Sequence, residues 1–164
     1  MFKVKDPLDV REQRIRALLN TEPQLAVVLA CVNLEWLIRR AVVSLSPKTN
    51  REVRDIMKRH RPSGLQGYKE IWKELVSSQG EHPSLALVVS NWENLLSAAH
   101  LRNKLMHGIY SCGPDYAREK TEVVLLAAHD LTSYCEKRDV NLGTRLKVKR
   151  TSNKYSPENQ AQVH

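Results

Sequence analysis

Arg102 and His107, with Asn103 directly after the arginine, are the residues of this sequence whose types and spacing could do chemistry. A histidine titrates near neutral pH and can take or give a proton, a role worth about 10²–10⁴ in rate when it faces a reacting group. An arginine stays charged and presents a planar fork of donors, which suits it to hold a phosphate and offset charge growing on it. Asn103 can orient the histidine or the anion. No cluster of carboxylates, or of cysteine and histidine at metal spacing, accompanies them, so the expected chemistry uses no metal ion and no other cofactor.

Geometry constrains how these residues can cooperate. Five steps along an ideal helix put Arg102 and His107 about 140° apart, on different faces. Either the helix ends at Met106 and lets His107 swing round, or two chains each lend part of one cleft.

The elements that must position them are helical. Asp9 to Asn20 reads as a first helix, and Pro23 suits an early position in a second that runs to about Leu45. Thr49, Asn50, Arg51 and Glu52 match a capping box, predicting a third helix over Arg51 to Arg59. Pro62, Gly64 and Gly67 break the chain before a fourth over Tyr68 to Ser77. Leu85, Val88, Trp92, Leu95, Ala99, Arg102 and Met106 form one stripe of a fifth helix, with Gly108 at its C-terminal cap. A sixth, Asp115 to Lys137, is expected to bury Ala117, Val124, Ala128, Leu131 and Cys135. The fold class is therefore all-α, an antiparallel bundle of five or six helices over residues 1–140. Residues 141–164, polar and basic, read as a mobile tail.

Composition agrees with one globular domain: 164 residues, of which 41% are hydrophobic and 27% charged, can bury a core but hardly two. The apolar run Leu25 to Leu45 is interrupted by Asn33, Glu35, Arg39 and Arg40, so no membrane span is expected. The first residues lack the apolar centre of a secretory signal, and the three cysteines, Cys31, Cys112 and Cys135, have no redox or zinc spacing. The expected compartment is the cytoplasm.

The formal net charge is +8, which favours a polyanionic partner. Arg145, Lys147, Lys149 and Arg150, with Lys154, form one basic cluster and are candidate RNA contacts. Arg51, Arg54, Lys58, Arg59, His60 and Arg61 form another. For each cluster the plain alternative is a solvated surface.

Two charges fall where a bundle should be apolar. Glu35 lies on the stripe Val28, Cys31, Ile38, Val42 and Leu45 of the second helix, as Arg102 does on the fifth. An unpaired buried charge is costly, so the two either bridge each other or line a polar cleft. His100, Lys104 and Tyr110 are further candidates to line that cleft, with solvent exposure the simpler account of His100. Trp36, Trp72 and Trp92 stand at helical spacing among apolar residues and are expected in packing rather than in base stacking.

The motif resembles that of HEPN domains, helical bundles marked by an arginine, four to six intervening residues and a histidine. Four residues separate Arg102 from His107, and Asn103 occupies the polar slot after the arginine. The resemblance spans roughly Leu25 to Lys137 and includes the position of the motif, at the end of a long helix with one more long helix to follow. It implies a metal-independent endoribonuclease, a homodimer with both motifs lining one cleft, and the role of a toxin or antiviral effector with a cognate antitoxin or activating partner. Some members carry a regulated tyrosine two residues after the histidine; here that position is Ile109, with Tyr110 one further on. The alternative is a HEPN-like module that binds RNA, nucleotide or a protein partner without cutting, its Arg102 simply bridged to Glu35. A basic DNA-binding protein fits the charge but lacks a recognisable helix-turn-helix.

Overall fold

The computed structural model describes residues 2, 6–62, 64–108 and 111–150. Seven α-helices and no strand occur among them: α1 (Leu8–Leu18), α2 (Pro23–Leu45), α3 (Asn50–His60), α4 (Gly64–Leu75), α5 (Leu85–Val88), α6 (Trp92–Met106) and α7 (Pro114–Glu136). The chain is all-α, and none of these helices is long and apolar enough to cross a membrane.

Helix α2 is the hub, packed against α1, α4, α6 and α7. Its fully covered residues, Ala26, Val27, Ala41 and Val42 among them, lie on more than one side of the helix, as burial by several neighbours requires. Arg11 near the start of α1 stacks over Trp36 of α2 at 3.8 Å, so α1 runs against α2. At one end Gln24 Nε2 donates to the Cys112 carbonyl (2.8 Å), and at the other Arg40 Nε donates to the Leu142 carbonyl (2.6 Å). Helices α2 and α7 therefore run in the same direction. Ser90, just before α6, donates its N–H to Asp130 late in α7 (2.7 Å), which sets α6 against α7.

Local sequence rules explain most boundaries. The capping box at Thr49 is present: Thr49 Oγ1 accepts from the Glu52 N–H (3.3 Å), and Glu52 accepts from the Thr49 N–H (2.8 Å). Pro23 stands in the first turn of α2 and Pro114 in that of α7, where a missing N–H costs nothing. All five residues expected inside the last helix are buried. Trp72 is fully covered and its indole donates to the Pro83 carbonyl (3.0 Å). Trp36 is only half-buried, with the guanidinium groups of Arg11 and Arg40 at 3.8 and 4.6 Å from its ring centroid. Trp92 is half-buried as well, with the Lys69 ammonium 5.6 Å from its ring.

Three expectations are corrected. Helix α4 begins at Gly64, not Tyr68, because Gly67 works inside it: a Cβ there would meet Pro62 Cα at 2.9 Å, so the bare backbone lets the turn fold against the helix. The stripe from Leu85 to Met106 is split into two helices. Asn91 takes the left-handed conformation (φ 55°), and the Asp130 carboxylate satisfies the Ser90 N–H that a continuous helix would have used. The third concerns residues 141–150, which are docked rather than a free tail. Leu142 is fully buried, Asn50 exchanges hydrogen bonds with Lys149, and Lys149 Nζ donates to the Ser44 and Ser46 carbonyls (2.6 Å each). Residues 151–164, with Lys154, lie outside the described residues.

Candidate functional site

Arg102 and Glu35 find each other across the α2–α6 contact: Arg102 Nη2 donates to Glu35 Oε1. Arg102 Nη1 also donates to Asn103 Oδ1 (2.9 Å), so the side chain after the arginine orients its guanidinium. The side chains keep 19% and 22% of their exposure, which places the pair at the edge of the core, partly open to solvent. Arg102 Nε is buried without a partner.

Beneath the pair lies Cys31, with Sγ 4.0 Å from the Ala98 carbonyl. Burial pushes its thiol up to about 12, opposed by the Arg102 charge, so it is no nucleophile at neutral pH. Burial likewise raises the Glu35 pKa, against the pull of Arg102 and of Arg39 one turn further along α2. Loss of solvation is the larger effect on this carboxylate, as the tight packing of α2 against α6 would produce.

His107 lies elsewhere. It caps α6 with φ −90° and ψ 3°, its N–H still bonded to the Asn103 carbonyl (3.1 Å), and its side chain is exposed. Gly108 (φ 64°) then turns the chain away. The helix thus ends at Met106 as expected, with His107 outside helical geometry as its C-cap and only its N–H still bonded back to the helix. Among the described residues no hydrogen bond or ion pair joins Arg102 to His107. One chain holds the two at the same end of α6 without bringing them together.

The other candidates separate into groups. His100 is exposed and shares a shallow depression of about 120 Å³ with Lys104 and Tyr116. Tyr110 lies outside the described residues. Arg145 and Lys147 are exposed and line a cleft of about 350 Å³ with Arg138, and Arg150 is exposed too. Lys149 is the exception in the basic cluster, because its ammonium caps carbonyls at the end of α2 and burial lowers its pKa.

Comparison with known protein families, with curated proteins and with solved structures found no match. The HEPN resemblance therefore rests on the motif and on the order of the helices.

Sequence reasoning missed two participants, Cys31 and Arg39. Both sit on α2 one turn from Glu35, and that i, i+4 spacing was the available signal. No group of histidine, cysteine and acidic residues fit to hold a metal occurs among the described residues.

Proposed function

We propose that the chain is a metal-independent endoribonuclease of the HEPN kind that works as a homodimer, with RNA as substrate and the cytoplasm as its compartment. The observation that carries this reading is the state of the motif: Arg102 is held, partly exposed, by Glu35 and Asn103, while His107 stands exposed at the end of the same helix. In the reaction the RNA 2′-hydroxyl attacks the adjacent phosphorus and the 5′-oxygen leaves. His107 moves the protons, and Arg102 offsets the charge on the phosphoryl oxygens. Because one chain keeps the two apart, the second copy supplies the missing partner. Leu25 and Val32, seven positions apart on one face of α2, and Met106 beside His107 are exposed apolar side chains that a second copy would cover. A toxin or antiviral role, with an antitoxin or activating partner, belongs to the same proposal.

The second reading, a module that binds without cutting, is favoured by the ion pair itself: Glu35 already neutralises Arg102 and competes with a phosphate for it. One assay separates the two. RNA incubated with the protein in chelator is cut and leaves 2′,3′-cyclic phosphate or 3′-phosphate ends if the enzyme reading holds, and the His107→Ala variant leaves it intact. Binding without cleavage supports the second reading, and strict dependence on a divalent metal rejects the first.

A further inference from the structure

A cleft of about 720 Å³ lies away from the motif, between α2, α3 and the docked segment 141–150. Five cations line it: Arg39 and Arg40 from α2, Arg54 and Lys58 from α3, and Arg61 just after α3. No acidic side chain lines it, and none of the five is in an ion pair among the described residues. Val43, Met57 and Leu146 supply apolar wall between the charges.

The arrangement is held in place by structure rather than by chance of surface composition. Arg40 is drawn along the Trp36 ring and donates to the carbonyls of Leu142 and Thr144, which brings segment 141–150 up as the far wall. Arg54 Nε donates to the Asn50 carbonyl (3.2 Å), one turn back on α3. Concentrating like charge in a concave site is unfavourable until an anion enters it, and four of the five groups are guanidiniums, whose fork matches phosphate oxygens. Leu146 is also shared with the neighbouring cleft, where Arg138, Arg145, Lys147 and Lys149 outnumber the single acid Asp139, so the net basic surface continues past the segment.

We infer that this cleft is a docking groove for the sugar-phosphate backbone of single-stranded RNA, with Arg39, Arg54, Lys58 and Arg61 on phosphates and the apolar wall against bases. Arg39 stands one helical turn beyond Glu35, so a strand lying in the groove leads toward the Glu35–Arg102 pair. The identity of the ligand as RNA rests on the proposed function; the groove itself does not.

The test measures anisotropy of a fluorescent single-stranded RNA titrated with full-length protein carrying His107→Ala, which removes cleavage without touching the groove. Adding Arg54→Ala and Lys58→Ala should weaken binding at least tenfold. It should also lower the slope of log affinity against log salt by about 1.4, two phosphate contacts at about 0.7 each. Arg61→Gly is a second variant that glycine tolerates well, because Arg61 already has φ 42° and its removal should weaken binding several-fold. Native circular dichroism and melting temperature show that each variant is folded. Unchanged affinity and slope in folded variants overturn the groove, as does polyglutamate competing as well as RNA, which would make the partner an acidic protein. Groove-dependent binding by a wild-type protein that never cuts RNA sinks the nuclease and keeps the groove. Cleavage with groove-independent binding does the reverse.

Discussion

Arg102 of α6 donates to Glu35 of α2 although the two lie 67 positions apart, and the contact ties the motif-bearing helix to the hub of the bundle. Removing the carboxylate leaves a partly buried guanidinium with one fewer partner and a buried Nε that already has none. The expected cost of Glu35→Ala is about 2 kcal/mol, within the range for hydrogen bonds to charged groups. Urea unfolding of wild type and variant measures it, and a change below about 0.5 kcal/mol would make the pair energetically idle.

The pH dependence of that pair has a defined sign. Burial raises the Glu35 pKa more than Arg102 and Arg39 lower it, so the folded chain holds this proton more tightly than the unfolded chain does. The resulting contribution is full below the ordinary glutamate pKa of about 4.3 and is lost as pH rises through the raised folded value. The stability of wild type relative to Glu35→Gln should therefore fall between about pH 4 and the raised value and level off above it. A difference that grows with pH would show that the Arg102 charge outweighs desolvation.

Splitting the motif between faces predicts complementation. His107→Ala should leave stability unchanged within about 0.5 kcal/mol, since the side chain is exposed, while abolishing RNA cleavage. Arg102→Ala should abolish it too. Mixed dimers of the two variants keep one intact Arg102 and one intact His107, on different chains. Partial return of RNase activity after subunit exchange is the expected outcome, and inactivity of proven heterodimers would exclude simple pairing in trans.

Segment 141–150 should matter for stability. Leu142 is fully buried, so Leu142→Ala is expected to cost about 2–4 kcal/mol by thermal or urea unfolding. Lys149→Ala should cost less, about 1–2 kcal/mol, by leaving the Ser44 and Ser46 carbonyls without their donor. A chain ending at Val140 that unfolds like wild type would show that the docking contributes nothing.

The three thiols should differ in reactivity. Burial pushes Cys31 and Cys135 to about 12, and Cys112 is also raised yet stands in a loop and keeps 9% of its exposure. Alkylation of the native protein at pH 8, read by peptide mass spectrometry, should label Cys112 first and the other two only on unfolding. Early labelling of Cys31 would mean that α2 and α6 separate readily at the site.

The all-α class, the bounds of α2 and α7 and the start of α3 follow from features spanning three or four residues: apolar period, a proline in a first turn, the Thr49–Glu52 box. Helical hydrogen bonds close over the same distance, so a sequence read locally contains what is needed. The need for a Glu35–Arg102 relationship was legible too, because a charge on an apolar stripe must find a partner or a cleft. Tertiary structure alone decided which of these it was: the two charges bridge each other. It also decided that Gly67 packs against Pro62 inside a helix, and that Asn91 interrupts the long stripe because Asp130 answers the freed N–H. Residues 141–150 show the limit most clearly. They have no period to read, and they are held through backbone carbonyls that every sequence carries: Arg40 of α2 donates to the Leu142 carbonyl, and Lys149 donates back to those of Ser44 and Ser46 about a hundred positions away. That docking also adds Leu146 to the basic groove between α2 and α3, and the end of α6 leaves His107 exposed as its C-cap with no hydrogen bond to Arg102 among the described residues.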